Sequence, residues 1–353
     1  MDKIQAVDLF CGVGGLAHGL RRAGIDVRLG IDKDPACRFP FEFNNNAKFI
    51  EADVFELHAQ IVTDAFTANG LRLLAGCAPC QPFSTYSRNA KRTDLIQRKG
   101  RGRADDWQLL RRFGDLAEAI QPDLITMENV PPLLDQVVFH EFVDKIRARY
   151  HVAFRVVECE EIGLPQTRRR LVFVASKLGP ITIPSFNAPR RTVRDAIGAL
   201  PPIAAGEVSQ ADPLHRASRL SPINLERIKS SRPGGTWRDW PEALRAACHN
   251  KLSGITYPSV YGRMEWDAPA PTITTQAFGF GNGRFGHPEQ DRAISLREAA
   301  MLQGFPEKYC FVNETKNIAF ATLGRLIGNA VPVPLGEFIG NLFLDHVRLY
   351  TSS

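Results

Sequence analysis

The sequence predicts an α/β protein, a doubly wound parallel sheet with a smaller, loop-rich second domain inserted before the chain returns to the first. Three observations predict it. Short apolar runs alternate with segments of helical period through the first half. The first run leads into a glycine-rich turn and then a helix. Regular periodicity lapses after Leu178 and returns near residue 293. At 353 residues, with 44% hydrophobic and 23% charged side chains, the chain can bury a full core and hold two domains.

Buried strands are expected at Ile4–Leu9, 27–31, Leu71–Gly76, 123–127 and 170–175, each ending at Gly, Asp or a polar turn. Helices are expected at Gly15–Ala23, 109–120 and 139–149, and later at Leu296–Leu302 and 334–349. Strands alternating with helices imply a parallel sheet covered on both faces, with ligands beyond the carboxyl ends of its strands. From Pro180 onward come Pro201-Pro202, Pro233-Gly234-Gly235, three tryptophans and GFGNGRFG with little periodicity. The expected division is 1–179 for the first segment of the main domain, 180–292 for the second domain and 293–353 for the return.

Lysine and arginine number 44 against 38 acidic residues, a net charge of +6 that suits a polyanionic partner without requiring one. Seven cysteines, an odd count, and a start (MDKIQAVDLF) without a signal sequence argue against a secreted disulfide scaffold and for the cytoplasm. No apolar run approaches the length of a membrane span.

The turn after the first strand reads Phe10-Cys11-Gly12-Val13-Gly14-Gly15-Leu16-Ala17. It satisfies a dinucleotide fingerprint in its Gly/Ala form, and Asp32 follows at the end of the second strand, where a carboxylate can bind a ribose diol. NAD and S-adenosylmethionine share that ribose, so the segment indicates an adenosine cofactor without choosing between them. A glycine turn that only packs helix on strand is the plainer reading.

Past the strand at Leu71–Gly76 stands Cys77-Ala78-Pro79-Cys80-Gln81-Pro82-Phe83-Ser84. An inert thiol, half of a Cys77-x-x-Cys80 redox or metal pair, and a nucleophile compete here. Metal loses support because no second Cys-x-x-Cys follows. Residues 88–103 carry seven basic side chains against the single Asp94, either a solvated loop or one that closes on phosphates. The fourth expected strand ends in Glu128-Asn129-Val130, a carboxylate too costly to bury unless it meets an arginine or handles a proton. In Gln166-Thr167-Arg168-Arg169-Arg170, strand alternation sends Arg168 and Arg170 to one side and Arg169 to the other, as a surface cluster or as a partner for Glu128.

Together and in this order, FCGVGG, PCQPFS, ENV, QTRRR, SLREAAMLQGFP and IGNAVPVPLG resemble the motif blocks of the DNA cytosine-5 methyltransferases, over nearly the whole catalytic part. The resemblance implies a Rossmann-like fold that uses S-adenosylmethionine, with residues 180–292 as target-recognition domain. It implies methylation of cytosine C5 in a specific duplex sequence, the base flipped out and held as a covalent Cys80–C6 adduct. Glu128 would contact N3 and the exocyclic amine, and Arg170 the base O2 with Arg168 in support. Phe10, Gly12, Gly14 and Gly15 would meet the methionine end of the cofactor, Asp32 its ribose and Asp53 the adenine amine, with Asn329 completing the pocket. Gln81, Ser84 and Thr272 would contact the DNA substrate. Lys33 stands where some relatives carry an aromatic residue beside the adenine. The lack of extra regulatory domains suggests a prokaryotic or phage enzyme, expected as a monomer without a metal, with a cognate restriction endonuclease as a functional partner left open.

Two other readings compete. A related subfamily methylates tRNA, but its Cys-Phe-Thr tripeptide is absent here. A non-catalytic DNA-binding protein on the same fold would be favoured had Cys80, Glu128 or the glycine turn been lost, and all are present.

Overall fold

A computed structural model describes residues 3–79, 106–251, 256–313 and 318–351. The chain divides into two compact units, the first made of Met1–Glu158, Arg169–Phe186 and Val331–Ser353, the second of Cys159–Arg168 and Asn187–Ala330.

The first unit begins with β1 (Ile4–Leu9), buried at all six positions, then α1 (Gly15–Ala23), β2 (Asp26–Asp32), α2 (Arg38–Asn45), β3 (Lys48–Glu51), α3 (Ala59–Thr63) and β4 (Leu71–Gly76). It continues with α4 (Asp106–Ile120), β5 (Leu124–Asn129), α5 (Val137–Arg147) and β6 (His151–Glu158). The two-residue β7 (Gln166–Thr167) belongs to the second unit, and β8 (Arg169–Ser176) returns to the first. Among the described residues these strands form a seven-stranded sheet in the order β3-β2-β1-β4-β5-β8-β6. The reversal of order beside β1 is the topological switch point at which open α/β sheets bind ligands.

The sheet is mixed, not parallel throughout: β1 to β5 run parallel, whereas β8 lies antiparallel between β5 and β6. The reason is the connection. Residues 159–168 between β6 and β8 are too few for the crossover of a dozen or more residues that a parallel return needs. Consequently the beginning of β8, not its end, shares an edge with the carboxyl ends of the parallel strands. The strands β3 and β6 were not expected. β3 has only four residues, and β6 is partly exposed along most of its length, so neither shows a clear apolar run.

Phe113, Phe139, Phe142 and Phe173 form the centre of the core against one sheet face, with the Phe142 and Phe173 rings 4.8 Å apart. The last helix of the unit, α10 (Val333–Thr351), packs against α1 at backbone distance. A Cβ at Gly19 would stand 2.3 Å from the Val333 carbonyl oxygen, and one at Gly336 would stand 2.6 Å from that of Leu16, so both positions require glycine.

The second unit is loop-rich, with α6 (Val193–Ile197), α7 (Pro222–Lys229), β9 (Ala270–Pro271) paired with β7, α8 (Leu296–Leu302) and α9 (Phe320–Asn329). Ile228, Trp237, Trp240, Phe280 and Ala293 make its small apolar core. Arg292 and Glu298, both almost wholly inaccessible, form a bidentate pair with two 2.7 Å contacts. Residues 293–330 pack with this unit, so the return to the first unit comes at Val331 and not at 293. No helix among the described residues is long and apolar enough to cross a membrane, and no group of three His, Cys, Asp or Glu among them is placed to hold a metal ion.

Candidate active site

Five parallel strands bring their carboxyl ends to one edge of the first unit, and of the expected cofactor residues Phe10, Gly12, Gly14, Gly15, Asp32 and Asp53 belong to that unit. β1 runs into Phe10 (φ 59°), Gly12 (φ 51°) and Gly14 (φ 89°), successive left-handed positions that turn the chain sharply before Gly15 opens α1. Among the described residues no atom lies within 4 Å of where a Cβ on Gly12 would sit, so the turn is an open cradle on that side. Asp32, at the end of β2, accepts the Gly12 amide on one carboxylate oxygen and the Asp34 amide on the other, each at 2.9 Å. Burial pushes its carboxyl upward. Asp53 is exposed beyond β3 and accepts the Phe55 amide at 3.0 Å; Lys33 is exposed too. Below the turn, Asp8 is 1% exposed and its Oδ2 meets no hydrogen-bond partner among the described residues. Burial, reinforced by the Asp32 charge, pushes the Asp8 carboxyl up to about 8.

Glu128 is brought to the same edge by β5 and is 3% exposed. Its Oε1 stands 2.6 Å from Arg170 Nε, an ion pair whose N–H does not point along the hydrogen-bond line. Register explains the meeting: Glu128 lies opposite Val172 of antiparallel β8, and Arg170 is two residues before Val172 on the same face. Arg169, on the other face, is exposed and pairs with Glu158 at 2.8 Å. The alternation expected for Arg169 and Arg170 is therefore present, and of the two readings left open for the cluster, Arg170 takes the partner of Glu128.

Two contacts on this edge were not anticipated. The Cys77 thiol lies 2.8 Å from Glu128 Oε2 and donates to it. The buried Asn129 side chain donates to the Ala78 carbonyl at 2.9 Å. The segment that follows β4 is thus held to the end of β5 by two successive side chains, Glu128 and Asn129. The only sequence cue was the ENV block itself; that these residues meet Cys77 and Ala78 follows from strand register, which the sequence does not display.

Three expected site residues belong to the second unit. Arg168 is 3% exposed and donates to the carbonyls of Ile273 at 3.0 Å and Ala330 at 3.5 Å. The Thr272 hydroxyl is exposed and donates to the Thr167 carbonyl at 2.8 Å. Asn329 is exposed at the end of α9. Gln166, which had no expected role, organises this unit: it accepts the Ile273 amide at 2.8 Å and donates to the Leu302 carbonyl at 2.9 Å. Cys80, Gln81, Ser84 and the basic run at 88–103 lie outside the described residues.

The model of the C-5 cytosine-specific DNA methylases matches residues 4–344. The chain belongs to that family. The Type II methylase M.HgiDII of Herpetosiphon aurantiacus is 50% identical over 340 residues, covering 94% of this chain and 93% of its own length. The Type II methyltransferase M1.HphI of Haemophilus parahaemolyticus is 30% identical over 351 residues, covering 97% of this chain and 87% of its own. Among solved structures, a chain described as a DNA modification methyltransferase encoded within an E. coli prophage superposes with a TM-score of 0.73 at 22% identity, covering 98% of this chain and all of that one, and shares the fold. Membership in this family makes the chain a cytosine-5 DNA methyltransferase with a Rossmann-like sheet.

Proposed function

We propose that this chain flips a cytosine out of a specific duplex sequence and methylates it at C5 through a covalent Cys80–C6 adduct, using S-adenosylmethionine. The pairing of a buried carboxylate, Glu128, with Arg170 on the ligand-binding edge, beside the segment that leads into Cys80, carries the reading.

The residues on the cofactor side fit S-adenosylmethionine. The cradle at Gly12 leaves room for backbone contact with the methionine end beside Phe10, Gly14 and Gly15, and Asp32 is already fixed by two amides beside it to receive the ribose hydroxyls. Asp53 would take the adenine amine, and Asn329 is assigned to the cofactor by the family resemblance alone. When bound, the cofactor supplies an electrophilic methyl group.

The chain's own side chains do the rest. Cytosine C5 is a poor nucleophile, and addition of the Cys80 thiolate to C6 makes it an enamine carbon that can be alkylated. Glu128 would hold N3 and the exocyclic amine and place a proton on N3 as the thiolate adds. Arg170 pairs with Glu128 and would donate to the base O2, the resemblance adding Arg168 in support. After alkylation a base or a bound water takes the C5 proton, the C5–H electron pair forms the C5–C6 double bond and expels Cys80 from C6 as thiolate, and N3 returns its proton to Glu128, restoring the aromatic ring. Unstacking the base costs a few kcal/mol, which phosphate contacts from the 88–103 run, Gln81, Ser84 and Thr272 would offset, with residues 180–292 reading the sequence. The Type II names of the relatives support a role beside a restriction endonuclease.

The test is Cys80→Ser. It should abolish methyl transfer to duplex DNA while leaving DNA retention in a gel-shift within a few-fold; full activity would remove Cys80 from the reaction.

A further inference from the structure

Glu128, the group proposed to receive the base, has a second fixed partner besides Arg170. We propose that Cys77 is a positioning residue for this reaction: its thiol holds the Glu128 carboxylate in the orientation that receives the cytosine. The inference rests on the proposed role of Glu128 and adds a residue to it.

The geometry begins with register. β4 and β5 are parallel, and Gly76 lies opposite Met127. One residue further along both strands, Cys77 falls beside Glu128, so the two side chains leave the sheet on the same face as nearest neighbours. The Cys77 backbone is itself fixed, its amide donating to the Leu9 carbonyl at 3.3 Å. The next residue is tied to β5 through Asn129. Gly76 adds to this rigidity, because a Cβ there would meet the Leu9 carbonyl and the Phe113 ring at 2.9 Å each. The thiol therefore sits on a framework with little freedom to drift from its acceptor.

The chemistry follows from counting lone pairs. An ionised carboxylate offers about four acceptor sites and no donor. In Glu128, Oε2 takes the Cys77 S–H at 2.8 Å, and Oε1 faces the Arg170 charge at 2.6 Å while meeting no aligned hydrogen-bond donor among the described residues. Among the described residues Oε1 thus keeps its hydrogen-bonding capacity on a side chain only 3% exposed, and one lone pair of Oε2 meets no partner. A cytosine protonated at N3 presents two donors side by side, N3–H and the exocyclic amine, and these match the two oxygens. The thiol orients the carboxylate without adding a charge that would compete with the incoming base. A cation there would duplicate Arg170, and an apolar side chain would leave Arg170 alone to hold the carboxylate against turning about its last torsion.

Two readouts test this together. In steady-state methylation of duplex DNA, Cys77→Ala should lower kcat about tenfold, the loss expected for one hydrogen bond to a charged group, with KM for DNA changed much less. Cys77→Ser, which restores an O–H donor, should recover most of that loss, and the acid limb of the kcat profile should move in the alanine variant and return in the serine one. Wild-type turnover in Cys77→Ala, or serine and alanine variants equally impaired, would overturn the proposal, since a packing role does not distinguish them by donor. The second readout needs no turnover. The infrared S–H band that disappears in Cys77→Ala should lie at lower frequency than that of an unbonded thiol, and in Glu128→Gln it should shift back. A Cys77 band at the unbonded position, unmoved by Glu128→Gln, would overturn the contact itself. If the wild-type chain transfers no methyl group while the band behaves as expected, the reading of the reaction fails and the contact stands.

Discussion

Replacing Glu298 by glutamine should destabilise the second unit by about 3–5 kcal/mol, the cost of stranding one partner of a buried ion pair. Arg292 is 0% exposed and Glu298 1%, so neither group recovers hydration when the other is removed. Glutamine can keep one of the two 2.7 Å contacts to Arg292, but it forfeits the other and removes the only counter-charge within 4 Å of that guanidinium among the described residues. The remaining acceptors of Arg292, which include the Ile203 and Ala293 carbonyls, are neutral. Glu298 Oε2 accepts the Ser295 amide at 2.7 Å, in the capping box that starts α8, as well as Arg292 Nη1, so a glutamine that keeps its oxygen there turns its NH2 group against Arg292 Nη2, and one turned the other way loses the cap as well. Urea unfolding followed by tryptophan fluorescence suits the measurement, because Trp237, Trp240 and Trp266 all lie in this unit. The pH dependence gives a second handle. Burial alone would raise the Glu298 carboxyl, yet the Arg292 hydrogen bonds and charge overcome burial and hold it below its ordinary value of 4.5. A depressed carboxyl contributes stability above its unfolded value and loses it as the pH falls through the folded one, so acidification below that point should cost the wild type more than Glu298→Gln. The double variant Arg292→Met with Glu298→Leu should recover most of the loss, as paired apolar replacements of buried ion pairs often do. A loss below about 1 kcal/mol in Glu298→Gln would refute the reasoning, because that is the range of an exposed pair.

Asp8→Asn should flatten the decline of stability with rising pH: the folded protein keeps the Asp8 proton up to about 8 while the unfolded chain releases it near 3.8, so wild-type stability falls across that window by at most about 1.4 kcal/mol per pH unit. Thermal melts from pH 5 to 8 with the same slope in both proteins would contradict this. Glu128→Gln should lower kcat by about 10²- to 10⁴-fold, the range of a positioned acid or base, with DNA affinity within a few-fold; a loss confined to affinity would move Glu128 from chemistry to binding. Neutralising four of the basic residues in 88–103 should flatten log affinity against log salt by about 0.9 for each phosphate left without its cation, and an unchanged slope would remove that run from the DNA interface.

The parts of the fold that could be read from the sequence are those whose signal is local. β1 and the glycine turn stand out because a fully buried run meets glycines in left-handed conformations, and α1 and α10 because their periodicity is sustained. β6 escaped because a partly exposed strand lacks both alternation and a continuous apolar run. The direction of β8 depends on the shortness of the connection from β6, which becomes informative only once both strands are known. Residues 293–330 resemble the regular part of the chain in their helical pattern, yet the hydrogen bonds of Gln303 and the Arg292–Glu298 pair tie them to the second unit. The same distinction divides the site. Asp32 and Glu128 end strands and are carboxylates, which marks them locally, and Arg170 follows from alternation. Cys77 was visible only as a neighbour of Cys80, because its contact with Glu128 arises between two strands 51 residues apart in sequence.

The most direct measurement is nucleoside mass spectrometry of mixed-sequence duplex DNA incubated with the purified chain and methyl-labelled S-adenosylmethionine. Label should appear in 5-methylcytosine alone, and nowhere with Cys80→Ser. Label on an exocyclic nitrogen of cytosine or adenine, or no labelled base from folded protein that binds the cofactor, would contradict the proposed reaction.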